Sequence, residues 1–159
     1  MLLVVALLAG LPMTQVHFTS APLDEALRHA TWVVVVERPT KETPPPDTWP
    51  QRWRVVETLS FRDPTPPAPA RATELTVYPS DQAFRDAMAA HIAQHGYAGA
   101  PSPVFPRYAS TLSPERLARE RRAILFLRRY KGDWSLAIEG GWEALGQRGV
   151  ISKILSTSK

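Results

Sequence analysis

The sequence predicts a mainly β domain with helices, in which five strands form a small barrel that carries a helical insertion and a C-terminal helix. Four consecutive valines at residues 33–36 favour a strand, because β-branched side chains fit a pleated sheet better than a helix. Four further segments are rich in strand-forming residues, and the apolar period is helical at residues 20–30, at residues 81–95 and near the C-terminus. The 159 residues, 44% of them hydrophobic, suffice for one domain with a core and exclude a disordered chain.

The first two elements are a helix at residues 20–30 and a strand at residues 31–39. Ser20 can cap the helix, and Asp24 and Glu25 suit its positive N-terminal end. The strand reads TWVVVVERP, and its continuous apolar run indicates that both of its faces are covered. We therefore expect it to lie centrally in the sheet.

The second and third strands are predicted at residues 51–61 and 73–79. The second alternates in polarity, but Glu57 interrupts its apolar face. Either Glu57 points inward, where burial would raise its pKa, or a shift in register turns it to solvent. The register shift is the favoured interpretation.

An insertion at residues 81–120 follows the third strand. Phe84, Met88 and Ile92 recur every four residues and predict a helix over residues 81–95. The next stretch, GYAGAPSPVFPRYAST, has three prolines and is predicted to be irregular, before a short helix begins at Pro114. Long loops in compact domains commonly carry function. If a partner docks on this one, its contact aromatics are predicted to be Tyr97, Phe105 and Tyr108.

Two more strands and a closing helical segment complete the predicted fold. Residues 121–130 form the fourth strand, KGD at 131–133 a tight turn, and residues 134–140 the fifth strand. Five strands with a helix between the third and fourth match the oligonucleotide/oligosaccharide-binding (OB) barrel. A five-stranded α+β sheet is the alternative.

Residues 1–19 are predicted to be a signal peptide or an N-terminal strand, ahead of a single OB-like domain at residues 20–159. The apolar run MLLVVALLAGLPM has the length of a signal-peptide core and is too short to span a bilayer. No Lys or Arg precedes it, and the best cleavage region lies around Thr19–Ala21. We expect a periplasmic or secreted protein without a stable membrane span, with a cytoplasmic location as the alternative.

Four segments carry a resemblance to a known family. They are LDEALRHATWVVVVERPTK, WRVVETL, ELTVY and RRAILFLRRYKGDWSLAIEG. Over residues 20–140 the chain resembles bacterial proteins that look like the metalloproteinase-inhibitor and netrin-type barrels. The resemblance implies a five-stranded barrel that is often exported, and it implies no activity. The animal inhibitors chelate the protease zinc through an N-terminal cysteine, and this chain has no cysteine, so no inhibitory residue carries over.

The motif search favours a protein that is not an enzyme and needs no cofactor. The lack of cysteine excludes thiolate catalysis and iron–sulfur clusters, and no nucleophile-elbow or phosphate-binding glycine motif occurs. His91 and His95 are four residues apart on the apolar stripe of the predicted helix, a spacing that zinc-binding helices use. Ile92 stands where a metalloprotease has its glutamate, and no third ligand has a diagnostic spacing. Packing is therefore the favoured role, and a metal-dependent enzyme is the weakest alternative.

The charge distribution leaves a nucleic-acid binder as the main alternative to a protein-binding module. The formal net charge is +4, and residues 81–159 carry 12 Lys and Arg against 7 Asp and Glu. In the basic region at residues 116–131, four arginines could line a groove for a single strand: Arg121, Arg122, Arg128 and Arg129. Phe126, Tyr130 and Trp134 could stack on bases, although Phe126 and Trp134 are more simply interpreted as core residues. We expect a non-enzymatic interaction module that binds a macromolecule, a protein in preference to a nucleic acid, through its insertion loop.

Overall fold

The computed structural model describes residues 17–39, 49–65, 67–96 and 104–158. In chain order its elements are β1 His17–Ala21, α1 Leu23–His29, β2 Trp32–Glu37, β3 Gln51–Phe61, β4 Glu74–Tyr78, α2 Gln82–His95, β5 Val104–Tyr108, α3 Pro114–Arg119, β6 Arg122–Tyr130, β7 Asp133–Leu136, β8 Trp142–Glu143, a 3₁₀ turn Leu145–Gln147 and α4 Arg148–Thr157.

Five strands close into a barrel in the order β2-β3-β4-β7-β6, and β6 pairs back with β2. All neighbours are antiparallel except β4 and β7. The closing pair runs from Trp32 opposite Leu127 to Glu37 opposite Arg122, which rules out the alternative of an open sheet. The OB-like barrel, with a helical insertion between its third and fourth strands and a helix at the C-terminal end, is confirmed.

Apolar residues fill two layers, one inside the barrel and one on its outer wall. Along β2, Trp32, Val34 and Val36 point into the barrel, whereas Val33 and Val35 pack outside it. Strand β6 divides in the same way. The outer layer also contains residues of α1, α4 and β1: Ala26, Leu27, Ile151 and Ala21. The predicted central strand, covered on both faces, is confirmed.

Glu57 is exposed, as the register-shift interpretation predicted. The pairing of β2 with β3 shifts between Val33 and Val34 and again between Val35 and Val36. Between the two shifts Glu57, opposite Val35, faces solvent and forms an ion pair with Arg148 of α4.

Strand β5 lies inside the segment that the sequence predicted to be irregular. It pairs in parallel with β1 in a separate two-stranded sheet, from His17 opposite Val104 to Ala21 opposite Tyr108. The backbone N–H of Tyr108 also donates to the Glu139 carbonyl at 2.8 Å, which ties this sheet to the barrel. No helix in the described part of the chain is long and apolar enough to cross a membrane.

Candidate interaction surface

Three phenylalanines and one arginine meet on the outer face of the two-stranded sheet, and we call this group the aromatic patch. Phe105 of β5 lies at its centre, with ring centroids 6.5 Å from Phe18 of β1 and 5.4 Å from Phe84 of α2. The Arg107 guanidinium lies 3.6 Å from the centroid of the Phe18 ring. The patch thus joins β1 to α2 and β5, two consecutive elements that begin more than 60 residues later in the sequence.

Strand geometry explains why these side chains share one face. Phe18 is directly opposite Phe105 in the parallel register, so both side chains point to the same side. Arg107 follows Phe105 by two residues and therefore lies on that side as well. Phe18 keeps 39% of its surface exposed, and Val104 at the start of β5 keeps 60%.

Tyr108, the next residue of β5, belongs to a buried hydrogen-bond network around Glu143. The fully buried Glu143 carboxylate accepts the Tyr108 hydroxyl at 2.5 Å and the Thr111 hydroxyl at 2.6 Å. It also accepts the backbone N–H groups of Thr111 at 2.9 Å and Ala144 at 3.0 Å. Burial, followed by the bond to Glu143, raises the pKa of the Tyr108 hydroxyl well above its usual range. Four donors replace the water that this carboxylate has lost.

The same segment is fixed to the barrel at two further points. The Trp142 indole N–H donates to the carbonyl of the buried Leu112 at 2.7 Å. Gly140 has a φ of +71°, and a Cβ placed there would lie 2.2 Å from the Tyr108 carbonyl oxygen. The close approach of β5 to residues 139–141 therefore requires glycine at this position.

The sequence did not reveal that Gly140 allows the close approach of β5 or that Glu143 is the centre of a buried hydrogen-bond network. The predicted fifth strand ended at residue 140 and Glu57 was the one strand carboxylate singled out, whereas Glu143 lies on β8. The available signal was a lone glutamate in the apolar stretch GGWEALG. A carboxylate in such a run is buried only if several donors surround it.

Two depressions flank β5. The larger, of about 430 Å³, is lined by the segment from Arg107 to Pro114 together with Glu139, Gly140 and Trp142. The smaller, of about 180 Å³, contains Phe105, Arg128 and Ser80. The Ser80 hydroxyl donates to Glu139 at 3.0 Å. The structure thus brings the predicted residues Phe105, Tyr108 and Arg128 to one region, while Tyr97 lies outside the described residues.

The other predicted arginines are dispersed. Arg121 and Arg122 line a separate depression at the start of β6, roughly 20 Å along the strand from Arg128. Arg122 pairs with Glu37 at 3.3 Å. Arg129 pairs with Asp63 at 3.4 Å and stacks 4.3 Å from the Trp134 ring centroid.

The aromatic residues considered for base stacking are also engaged in the fold. Phe126 and Trp134 are core residues, in agreement with the alternative interpretation given for them. The Tyr130 ring lies against Tyr78, with centroids 5.1 Å apart. Neither these aromatics nor the four arginines form one continuous basic groove.

His91 and His95 lie side by side on α2, with ring centroids 5.1 Å apart. His91 borders a small depression with Phe84, Ala87 and Met88, and its Nε2 atom finds no hydrogen-bond partner there. Within the described ranges, no third histidine, aspartate or glutamate joins the two to form a metal-binding group.

Helix α2 is attached to the barrel mainly through polar contacts, since none of its described residues is fully buried. The Asp86 carboxylate accepts the Tyr130 hydroxyl and, at 2.9 Å, the Lys131 ammonium. The Gln82 amide donates to it at 3.0 Å. These bonds, that of Tyr130 first, lower the pKa of Asp86 to about 2.

No family model, no curated protein and no solved structure matches this chain. The functional assignment therefore rests on the chain's own geometry.

Proposed function

We propose that the chain is a non-enzymatic interaction module that captures a protein partner on the aromatic patch. The observation that carries this proposal is the exposure of Phe18 and Val104 beside Phe105 and Arg107. The other two large apolar residues that the described part leaves exposed, Leu145 and Val150, lie near the C-terminal end. Aromatic residues and arginine are the types enriched in the energetic centres of protein interfaces.

The support beneath the patch favours binding by a preformed surface. The Glu143 network, the Trp142 bond and the close approach at Gly140 hold residues 107–112 against the barrel. A surface that is ordered before binding loses less conformational freedom when a partner docks. The nearby carboxylates of Glu139 and Glu143 accept hydrogen bonds from Ser80 and Thr111 and so add to this support.

We further propose that the protein acts in the periplasm or outside the cell, on the basis of the apolar run at residues 1–13. This proposal and the aromatic patch are compatible only if the mature chain retains Phe18. Cleavage near Thr19–Ala21 would remove Phe18 and most of β1, so we expect a mature N-terminus at or before His17. Intact-mass spectrometry of protein from its native cell tests this expectation. A mature chain that begins after Phe18 would contradict the proposal that Phe18 belongs to the binding surface.

Affinity capture from native extract tests the binding function. We expect wild-type protein to retain a specific protein that Phe18→Ala and Phe105→Ala lose, because these truncations remove the exposed Phe18 ring and the half-buried Phe105 ring at the centre of the patch. Val150→Ala on α4 removes another exposed apolar side chain, away from the patch, and this variant should capture normally. Equal capture by all variants, or retention of nucleic acid instead of protein, would contradict the proposal.

A further inference from the structure

We propose that the partner presents an extended, acidic segment that adds as a third strand to the free edge of β1. This inference rests on the proposed function and specifies how the partner is recognised. It assigns affinity to backbone hydrogen bonds along β1 and specificity to Phe18 and Arg107.

The free edge is visible in the strand pairing. In the described part of the chain β1 pairs with β5 and with no other strand, so one of its two edges is unpaired. All four residues from His17 to Ser20 are exposed. Alternate N–H and C=O groups of a strand point to opposite edges, and those on the outer edge can bond to another extended backbone.

Within His17–Ala21 this edge lacks the usual sequence features that protect against strand addition. Its sequence, HFTSA, contains no proline, lysine or glycine, and its register with β5 runs without a bulge. The five barrel strands, in contrast, pair in a closed ring. Strand β1 is therefore the described strand best suited to β-augmentation.

The side chains next to the edge indicate the chemistry of the added segment. A strand beside β1 would place alternate side chains against Phe18, on the face that also carries Arg107. No carboxylate of the described residues forms an ion pair with Arg107, whereas Asp24 and Glu25 of α1 already pair with Arg28 and His29. An apolar residue next to Phe18 and a nearby acidic residue complement this edge.

Charge also distinguishes this partner from a second copy of the chain. Each copy has a formal charge of +4, and edge-to-edge pairing through β1 would bring two copies of Arg107 toward one interface. An acidic segment from another protein would instead be attracted to Arg107.

Peptide binding to the full chain tests the inference. The probes are two libraries of nine-residue peptides that alternate apolar residues with either glutamate or lysine, measured by fluorescence anisotropy after selection on immobilised protein. We expect saturable binding from the glutamate library only. No binding from it, or equal binding from both, would overturn the inference.

N-methylation of the selected peptide tests recognition through the backbone. One version of the peptide carries N-methyl groups on its odd-numbered amides and the other on its even-numbered amides. Both versions keep all side chains. Because only one set of amides can face β1, we expect one version to lose binding and the other to retain it. Equal behaviour of the two versions would show that the backbone is not recognised.

Substitutions in the protein separate this inference from the proposed function. We expect Phe18→Ala and Arg107→Gln to weaken peptide binding about tenfold. The matched controls Val150→Ala and Arg119→Gln should bind normally, and circular dichroism checks that all variants fold.

The two proposals can fail separately. If the native partner is still captured through Phe18 but the two N-methylated peptides bind equally well, strand addition is wrong and the binding function stands. Dimerisation through β1 in sedimentation experiments would also overturn the inference.

Discussion

At the scale of single residues, the side chains of β5 divide into two roles. Phe105 and Arg107 point outward into the aromatic patch, while Tyr108 points inward to Glu143. Strand alternation causes this division, and an irregular loop would not impose it. The prediction that Phe105 and Tyr108 serve together as contact aromatics therefore has structural support only for Phe105.

Glu143→Gln should lower the free energy of unfolding by about 1–3 kcal/mol. The carboxylate accepts four donors, and the glutamine amide would turn an N–H toward at least one of them. Urea denaturation measures the change. Glu115→Gln, at an exposed position of α3, is the control and should cost under about 0.5 kcal/mol. A Glu143 variant as stable as this control would mean that the network does not hold the segment.

Gly140→Ala should destabilise the chain by about 1–3 kcal/mol, since its φ is positive and its new Cβ would collide with the Tyr108 carbonyl. Gly146→Ala is a matched control because nothing lies within 4 Å of its added Cβ. The same denaturation assay compares the two. Equal stability of the two variants would contradict the close approach of β5 to residues 139–141.

At the scale of elements, the barrel strands could be predicted from sequence but the sheet of β1 and β5 could not. The runs around Val34 and Leu125 are apolar on both faces, which is a local signal. Strand β5 contains Pro106, and its partner β1 lies more than 80 residues earlier in the chain. Because a parallel pairing of distant segments leaves no local pattern, the prediction stopped at an irregular loop.

The attachment of α2 should weaken in acid. The pKa of Asp86 falls from its ordinary value of 3.8 to about 2 in the folded chain, so its contribution to stability is present above pH 4. That contribution is lost as the pH falls from about 4 to 2 and Asp86 takes up a proton. Carboxyl-carbon NMR should record a midpoint for Asp86 near the lower end of this range.

Asp86→Asn provides the companion test at neutral pH. We expect faster amide hydrogen exchange across Gln82–His95, because this variant weakens the bonds to Tyr130 and Lys131. Exchange in β2 should stay unchanged. An ordinary midpoint for Asp86, or unchanged exchange in α2, would show that these bonds do not attach the helix.

Zinc should not raise the melting temperature of the purified protein. A native site filled at 100 times its dissociation constant would add about 2.7 kcal/mol, a shift of several degrees. His91 and His95 have no third ligand among the described residues, and His91 lies against Phe84 and Met88. Differential scanning calorimetry at micromolar zinc tests this. A shift that both His91→Gln and His95→Gln abolish would make α2 a metal site.

At the scale of the whole molecule, the barrel acts as a closed support and the additions to it form the candidate binding surface. The barrel interior is filled by large apolar side chains such as Trp32, Trp53 and Leu125, which leaves no space for a ligand at those positions. The rings of the aromatic patch lie on β1, β5 and α2, outside the barrel. The barrel could therefore be predicted well from sequence and the binding surface only in part. Phe18 and Arg107 come together only through the long-range pairing of β1 with β5.

The most direct test of this assignment is photo-crosslinking in the native cell. A benzoylphenylalanine in place of Val104 lies beside the patch, and one in place of Val150 is similarly exposed on α4. We expect a discrete protein adduct from position 104, absent from position 150 and lost when Phe18→Ala is added. Equal adducts from both positions, or no protein adduct from position 104, would contradict it.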